Sequence, residues 1–128
     1  MNVVDSSGWL EFFADGPASE FFSSPIKDRD QLIVPTICIF EVFKRLLQLR
    51  GSDEAIAATV EMHKGLVVPM DSELALAAVK LSVDFKLALA DSVILATARL
   101  YEATLWTQDA DFAALENVKF RPKDKTVI

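Results

Sequence analysis

The stretch that decides the fold runs from Leu89 to Phe112. It opens Leu89-Ala90-Asp91-Ser92-Val93-Ile94-Leu95-Ala96-Thr97-Ala98-Arg99 and, after a short break, continues Leu105-Trp106-Thr107-Gln108-Asp109-Ala110-Asp111-Phe112. The first part is apolar almost all the way round a helix, the pattern of a buried helix rather than a surface one. Yet an aspartate sits in its first turn. The second part reads as a short strand, Thr104 to Thr107, running directly into two aspartates spaced one apart. Burying a carboxylate is costly unless it is paired, hydrogen-bonded or bound to a metal. Two acidic points at the ends of two core elements therefore call for a cation.

Outward from that stretch, helices alternate with short apolar runs. Asn2-Val3-Val4 is a first strand ending at Asp5, and Ser6 and Ser7 are suitable N-caps for a helix through Trp9, Leu10, Phe12 and Phe13. Gly16-Pro17 breaks the chain, Pro17 suits the first turn of a short helix through Phe21 and Phe22, and residues 23–30 read as loop. Gln31 to Val34 is a second strand stopped by Pro35. Thr36 then caps a helix from Ile37 to about Arg50, whose apolar positions Ile37, Phe40, Phe43, Leu46 and Leu47 recur at helical spacing. Gly51 separates it from a helix running to Lys64, with Gly65 beyond its end. Leu66 to Pro69 is a third strand, and Asp71-Ser72-Glu73 opens a helix reaching Phe85. Val118-Lys119-Phe120 reads as an edge strand. Strands alternating with helices give an α/β domain with a mainly parallel sheet. No internal repeat or second domain interrupts residues 1–128.

The 128 residues suffice for one domain with a real core. With 52% hydrophobic residues the chain is not a disordered or solvating acidic segment. No apolar run approaches the roughly 18 residues of a membrane span, and the amino terminus lacks the layout of a signal peptide. Cys38, the one cysteine, reads as a small core residue in a reducing cytoplasm. The net charge of −6 argues against broad adhesion to DNA or anionic membranes. It leaves room for a nucleic-acid substrate, because cations held at an acidic centre invert the local field.

Five acids are candidates for that centre: Asp5, Glu41, Asp91, Asp109 and Asp111. Asp5 and Asp109 each follow a strand, whereas Glu41 and Asp91 lie near the amino ends of helices. In a parallel sheet, strand carboxyl ends and the following helix amino ends share one rim. Carboxylates gathered there, with no histidine or cysteine cluster nearby, suit Mg²⁺ or Mn²⁺, ions that activate water for phosphodiester cleavage. Taken singly, each acid has a plainer reading. Asp5 is a turn or cap residue, Glu41 pairs with Lys44 or Arg45 on its own helix, Asp91 is a first-turn acid, and Asp109 with Asp111 shapes a turn. Their joint position on one rim is what distinguishes them. His63 sits in a last helical turn, where it favours the helix dipole. Trp9, Trp106 and the nine phenylalanines are mostly core, with an interface share.

These residues resemble a known family. Val3-Val4-Asp5-Ser6-Ser7, Ile39-Phe40-Glu41-Val42-Phe43-Lys44, Ala90-Asp91-Ser92-Val93-Ile94-Leu95-Ala96-Thr97-Ala98 and Leu105-Trp106-Thr107-Gln108-Asp109-Ala110-Asp111-Phe112 look like the four acidic motifs of PIN-domain ribonucleases. More narrowly they are similar to the VapC toxins of bacterial toxin–antitoxin pairs, over essentially the whole chain.

The resemblance implies a three-layer α/β/α fold with a central, mainly parallel sheet of 4–5 strands, and a Mg²⁺- or Mn²⁺-dependent endoribonuclease. By that likeness Asp5, Asp91 and Asp109 ligate metal, and Glu41 completes the catalytic set or places a second ion. Ser6 and Thr107 supply hydroxyls that orient the carboxylates, and Asp111 plays a lesser part. The same likeness implies 5′-phosphate and 3′-hydroxyl products, a homodimer, and a VapB-type antitoxin that pushes a basic side chain toward the acids. DNA binding would belong to the antitoxin, since this chain has no basic stripe. Two rival readings stand beside this one. A Toprim-like nuclease would use Glu41 with the Asp109/Asp111 pair, and a protein-binding α/β module would merely carry surface acids.

Overall fold

The computed structural model describes residues 1–124. The strands are β1 (Asn2–Val4), β2 (Leu32–Pro35), β3 (Leu66–Val68), β4 (Thr104–Thr107) and β5 (Val118–Phe120). The helices are α1 (Ser6–Phe13), α2 (Ser19–Lys27), α3 (Thr36–Arg50), α4 (Ser52–Met62), α5 (Ser72–Phe85) and α6 (Leu89–Leu100). Short 3₁₀ turns cover Arg29–Gln31 and Ala110–Phe112.

All five strands run parallel in the order β3-β2-β1-β4-β5. From β1 the chain steps outward to β2 and β3, then returns across the sheet to β4 and β5. Right-handed crossovers made in opposite directions put their helices on opposite faces. The result is the three-layer α/β/α arrangement, in which the inner strands are covered on both sides and read as unbroken apolar runs. Val3, Val4, Ile33, Val34 and Leu105 are accordingly buried.

Helix α6 packs into this core with Ser92 to Ala98 all buried. Its two buried hydroxyls stay satisfied without leaving the helix. Ser92 Oγ donates to the Ala88 carbonyl and Thr97 Oγ1 to the Val93 carbonyl, each at 2.8 Å. At the other side Gly8 lets α1 lie close to its neighbours. A Cβ there would stand 2.6 Å from the Phe22 ring and 2.7 Å from Val4, so a larger residue would push α1 off the sheet.

Four local expectations change. Residues 23–30 are not loop: α2 continues to Lys27 through Pro25. Phe22, Pro25 and Ile26 are all buried, and burial of that apolar face outweighs the poor helix propensity of Ser23-Ser24-Pro25. Pro17 precedes α2 rather than entering it. The Ala18 amide at its start is satisfied from a distance, by the Glu11 carboxylate at 2.9 Å. Finally, Asp5, not Ser6 or Ser7, caps α1, accepting from the Gly8 N–H at 2.8 Å. Thr36 likewise begins α3 without making a side-chain cap.

Candidate active site

The strand order reverses between β1 and β4, and in open α/β sheets the crevice beyond the strand carboxyl ends at such a point is where ligands sit. Asp5 follows β1 directly, and its N–H donates to the Trp106 carbonyl at 3.2 Å, extending the β1–β4 ladder. That pairing sets Asp5 beside Thr107. Thr107 Oγ1 donates to Asp5 Oδ2 at 2.5 Å and accepts from the Asp109 N–H at 2.9 Å. One buried hydroxyl thus fixes two of the acids relative to each other.

Asp5 is only 3% exposed. Its Oδ1 accepts from Ser7 Oγ and from the Gly8 N–H, both at 2.8 Å. Burial raises its pKa above the usual carboxylate value; the bonds from Thr107, Gly8 and Ser7 oppose that rise, and the Asp109 charge adds to it. Glu41 arrives from the second turn of α3, half-buried, with Oε1 accepting from Ser6 Oγ at 2.6 Å. It pairs with neither Lys44 nor Arg45 among the described residues. Lys44 instead lies over the Phe40 ring.

Asp91 enters from the first turn of α6. Its pKa is pushed up to about 6, first by burial and then by the charges of Asp109, Asp5, Glu41 and Asp111. The other four sequence-selected acids therefore all bear on Asp91. Asp91, Asp109 and Asp111 each offer an oxygen within 4.8 Å of the others. Asp109 Oδ1 also accepts the Asp111 N–H at 2.9 Å, holding the turn that carries both. Asp5 and Glu41 stand outside that trio, on the β1 and α3 sides of the rim.

Sequence reading passed over two participants. Gln108 is buried between Thr107 and Asp109, and its Nε2 donates to the Ser7 carbonyl at 3.3 Å, tying the end of β4 to the first turn of α1. Ser7, a cap by sequence alone, instead donates to Asp5. The signal available for Gln108 was its place between the two polar residues that end the strand. Cys38 lies behind the acids, buried, with Sγ 3.7 Å from the Val4 carbonyl. Burial raises its thiol pKa, and the neighbouring acids act in the same sense. His63 is exposed at the end of α4, its Nδ1 2.7 Å from the Thr59 carbonyl, away from the rim. Among the described residues, no helix is long and apolar enough to cross a membrane.

A clustered set of carboxylates, assembled on the crevice of a 3-2-1-4-5 sheet, is a nuclease-like arrangement, and the comparisons agree. The family model of the PIN domain matches residues 3–118, and the chain belongs to that family. No curated protein sequence matches it. Solved structures do. A toxin–antitoxin complex from Klebsiella pneumoniae superposes with a TM-score of 0.77 at 21% identity, over 93% of this chain and 96% of that one. VapC20 of Mycobacterium tuberculosis, a toxin that cleaves the sarcin–ricin loop, gives 0.76 at 17% identity, over 91% and 95%. VapBC2 from Rickettsia felis, bound to a DNA fragment from its promoter, gives 0.73 at 12% identity, over 96% and 98%. Membership of the PIN family removes the Toprim-like alternative.

Proposed function

We propose that residues 1–128 form one domain acting as a divalent-metal-dependent endoribonuclease, the VapC-type toxin of a type II toxin–antitoxin pair. The observation that carries this reading is the convergence of Asp5, Glu41, Asp91 and Asp109, from four separate elements, on one rim of a PIN fold. The toxin–antitoxin neighbours support a cognate antitoxin as partner; a cytoplasmic setting, a homodimer and a VapB-type antitoxin whose basic side chain would quiet the acids belong to the same proposal.

The donor set fits a hard cation, Mg²⁺ or Mn²⁺, since it offers only carboxylate oxygens. Asp5, Asp91 and Asp109 would hold it, with Asp111 in reach and Glu41 completing the set or placing a second ion. When bound, such an ion lowers the pKa of water and stabilises charge on a phosphodiester. The chain's own part is orientation. Thr107, Ser7 and the Gly8 N–H fix the Asp5 carboxylate, Ser6 fixes Glu41, and the Asp111 N–H fixes Asp109.

The test is to sequence RNA ends after incubation with the protein, with and without Mg²⁺ or Mn²⁺. Ion-dependent internal cuts with 5′-phosphate and 3′-hydroxyl ends are expected, and Asp91→Asn should abolish them while circular dichroism stays unchanged. Undiminished cutting by that variant would remove the site assignment. A binding module predicts instead that divalent ions leave the melting temperature where it was, whereas ion binding to the folded state alone raises it.

A further inference from the structure

Helix α3 brings Glu41 to the rim, and its outward side carries a feature the acids do not use. Buried Cys38, Val42 and Leu46 recur every fourth residue and mark the inward stripe. Phe40, two positions after Cys38, lies about 200° round the helix and is 62% exposed. Other large apolar side chains are exposed as well, among them Leu76 and Val83. What sets Phe40 apart is its surroundings. Glu41 is the next residue, and the Lys44 ammonium sits over the Phe40 ring, 6.0 Å from its centroid.

Side chains on a helix lean toward its amino end. The amino end of α3 follows β2 and so lies on the rim that holds the acids. The ring therefore covers surface on the approach to Glu41, with an ammonium on one side and most of its area open. Lys44, like Arg45 beside it, has no carboxylate within ion-pair distance among the described residues. A chain of net charge −6 repels a polyanion at most of its surface. An unpaired cation three positions from Glu41 on the same helix is where such a ligand can approach.

We propose that Phe40 and Lys44 form a nucleotide subsite beside the acidic rim: an unpaired RNA base stacks on the Phe40 ring and the adjoining phosphate meets the Lys44 ammonium. This rests on the ribonuclease reading. Sequence-tolerant stacking on an aromatic side chain is the common way proteins hold single-stranded bases, and the ammonium supplies the phosphate attraction that the acids do not.

The experiment is steady-state cleavage of a short single-stranded oligoribonucleotide, built around the site that the unsubstituted protein cuts. Phe40→Ala and Phe40→Leu should each raise KM by about tenfold with little change in kcat, and Phe40→Trp should restore it. Lys44→Ala should raise KM and flatten its salt dependence. The proposal is overturned if the unsubstituted protein cuts this RNA and Phe40→Ala has the same KM, or if leucine serves as well as tryptophan. It is equally overturned if Phe40→Ala leaves KM alone but weakens self-association in sedimentation, which assigns the ring to a protein interface. An unsubstituted protein that cuts no RNA with either ion fails earlier, at the ribonuclease reading itself.

Discussion

Asp5 and Asp71 cap their helices in the same local geometry. Each stands in extended backbone, at φ −71° and −91°, and each accepts a 2.8 Å hydrogen bond from the backbone N–H three residues on. Both begin Asp-Ser, in Asp5-Ser6-Ser7-Gly8 and in Asp71-Ser72-Glu73-Leu74. The surroundings differ. Asp71 is exposed before α5 and its work ends with the cap. Asp5 is buried at the strand-order reversal, where Thr107 binds its second oxygen and Asp109 bears on its charge. The same capping device is a helix start in one place and a part of the acidic rim in the other. What distinguishes them is position in the sheet, not residue type.

The widest separation should come from asparagine at both positions, since asparagine caps a helix as well as aspartate does. Removing only the charge, Asp5→Asn should lower RNA cleavage by on the order of a thousandfold, because metal-ion charge stabilisation is worth several kcal/mol. Asp71→Asn should leave the rate alone; equal losses would erase the distinction. Next in size is Thr107→Val, which keeps the shape but removes the hydroxyl shared by Asp5 and Asp109. A loss of roughly 10- to 100-fold in metal affinity or rate is expected, read by Mn²⁺ titration of the cleavage rate, and an unchanged titration would sink the hydroxyl's orienting role.

The smallest effect concerns metal-free stability and pH. Asp91 titrates near 6 when folded against an ordinary 3.8, so between those values the folded chain keeps a proton that the unfolded chain has released. The stability this provides is present at low pH and is lost as pH rises through about 6; Asp5 acts in the same direction. At neutral pH with a chelator, Asp91→Asn should therefore be more stable than the unsubstituted chain by roughly 1–3 kcal/mol in urea denaturation. The gain should shrink toward about pH 4, and a gain constant across that range would contradict the shared field of the acids.

Much of this was legible in the sequence, for a physical reason. The helix around Asp91 and the strand Thr104–Thr107 have periodicities that burial imposes directly, and the structure has them where the pattern put them. The gathering of Asp5, Glu41, Asp91 and Asp109 followed from the parallel-sheet rule that strand ends and helix starts share a rim. Partner choice was not legible. Aspartate and serine both cap helices, and the Thr107 hydroxyl that also binds Asp5 is 102 residues away. Glu41 had two cations within one helical turn, yet it takes Ser6, 35 residues distant. The segment 23–27 is helical against its own propensity because the face holding Phe22 and Ile26 is buried, a fact no local window contains.

The strand order also sets when the acids can meet. β1 is the first strand and ends up in the middle of the sheet, so one of its edges waits for β4, the fourth strand in chain order. A polypeptide still being translated holds Asp5 and Glu41 without Asp91 or Asp109, and the mutual repulsion of the full set arises only as the closing strand docks. A cell making this protein is thereby spared whatever the finished crevice does until β4 has been made.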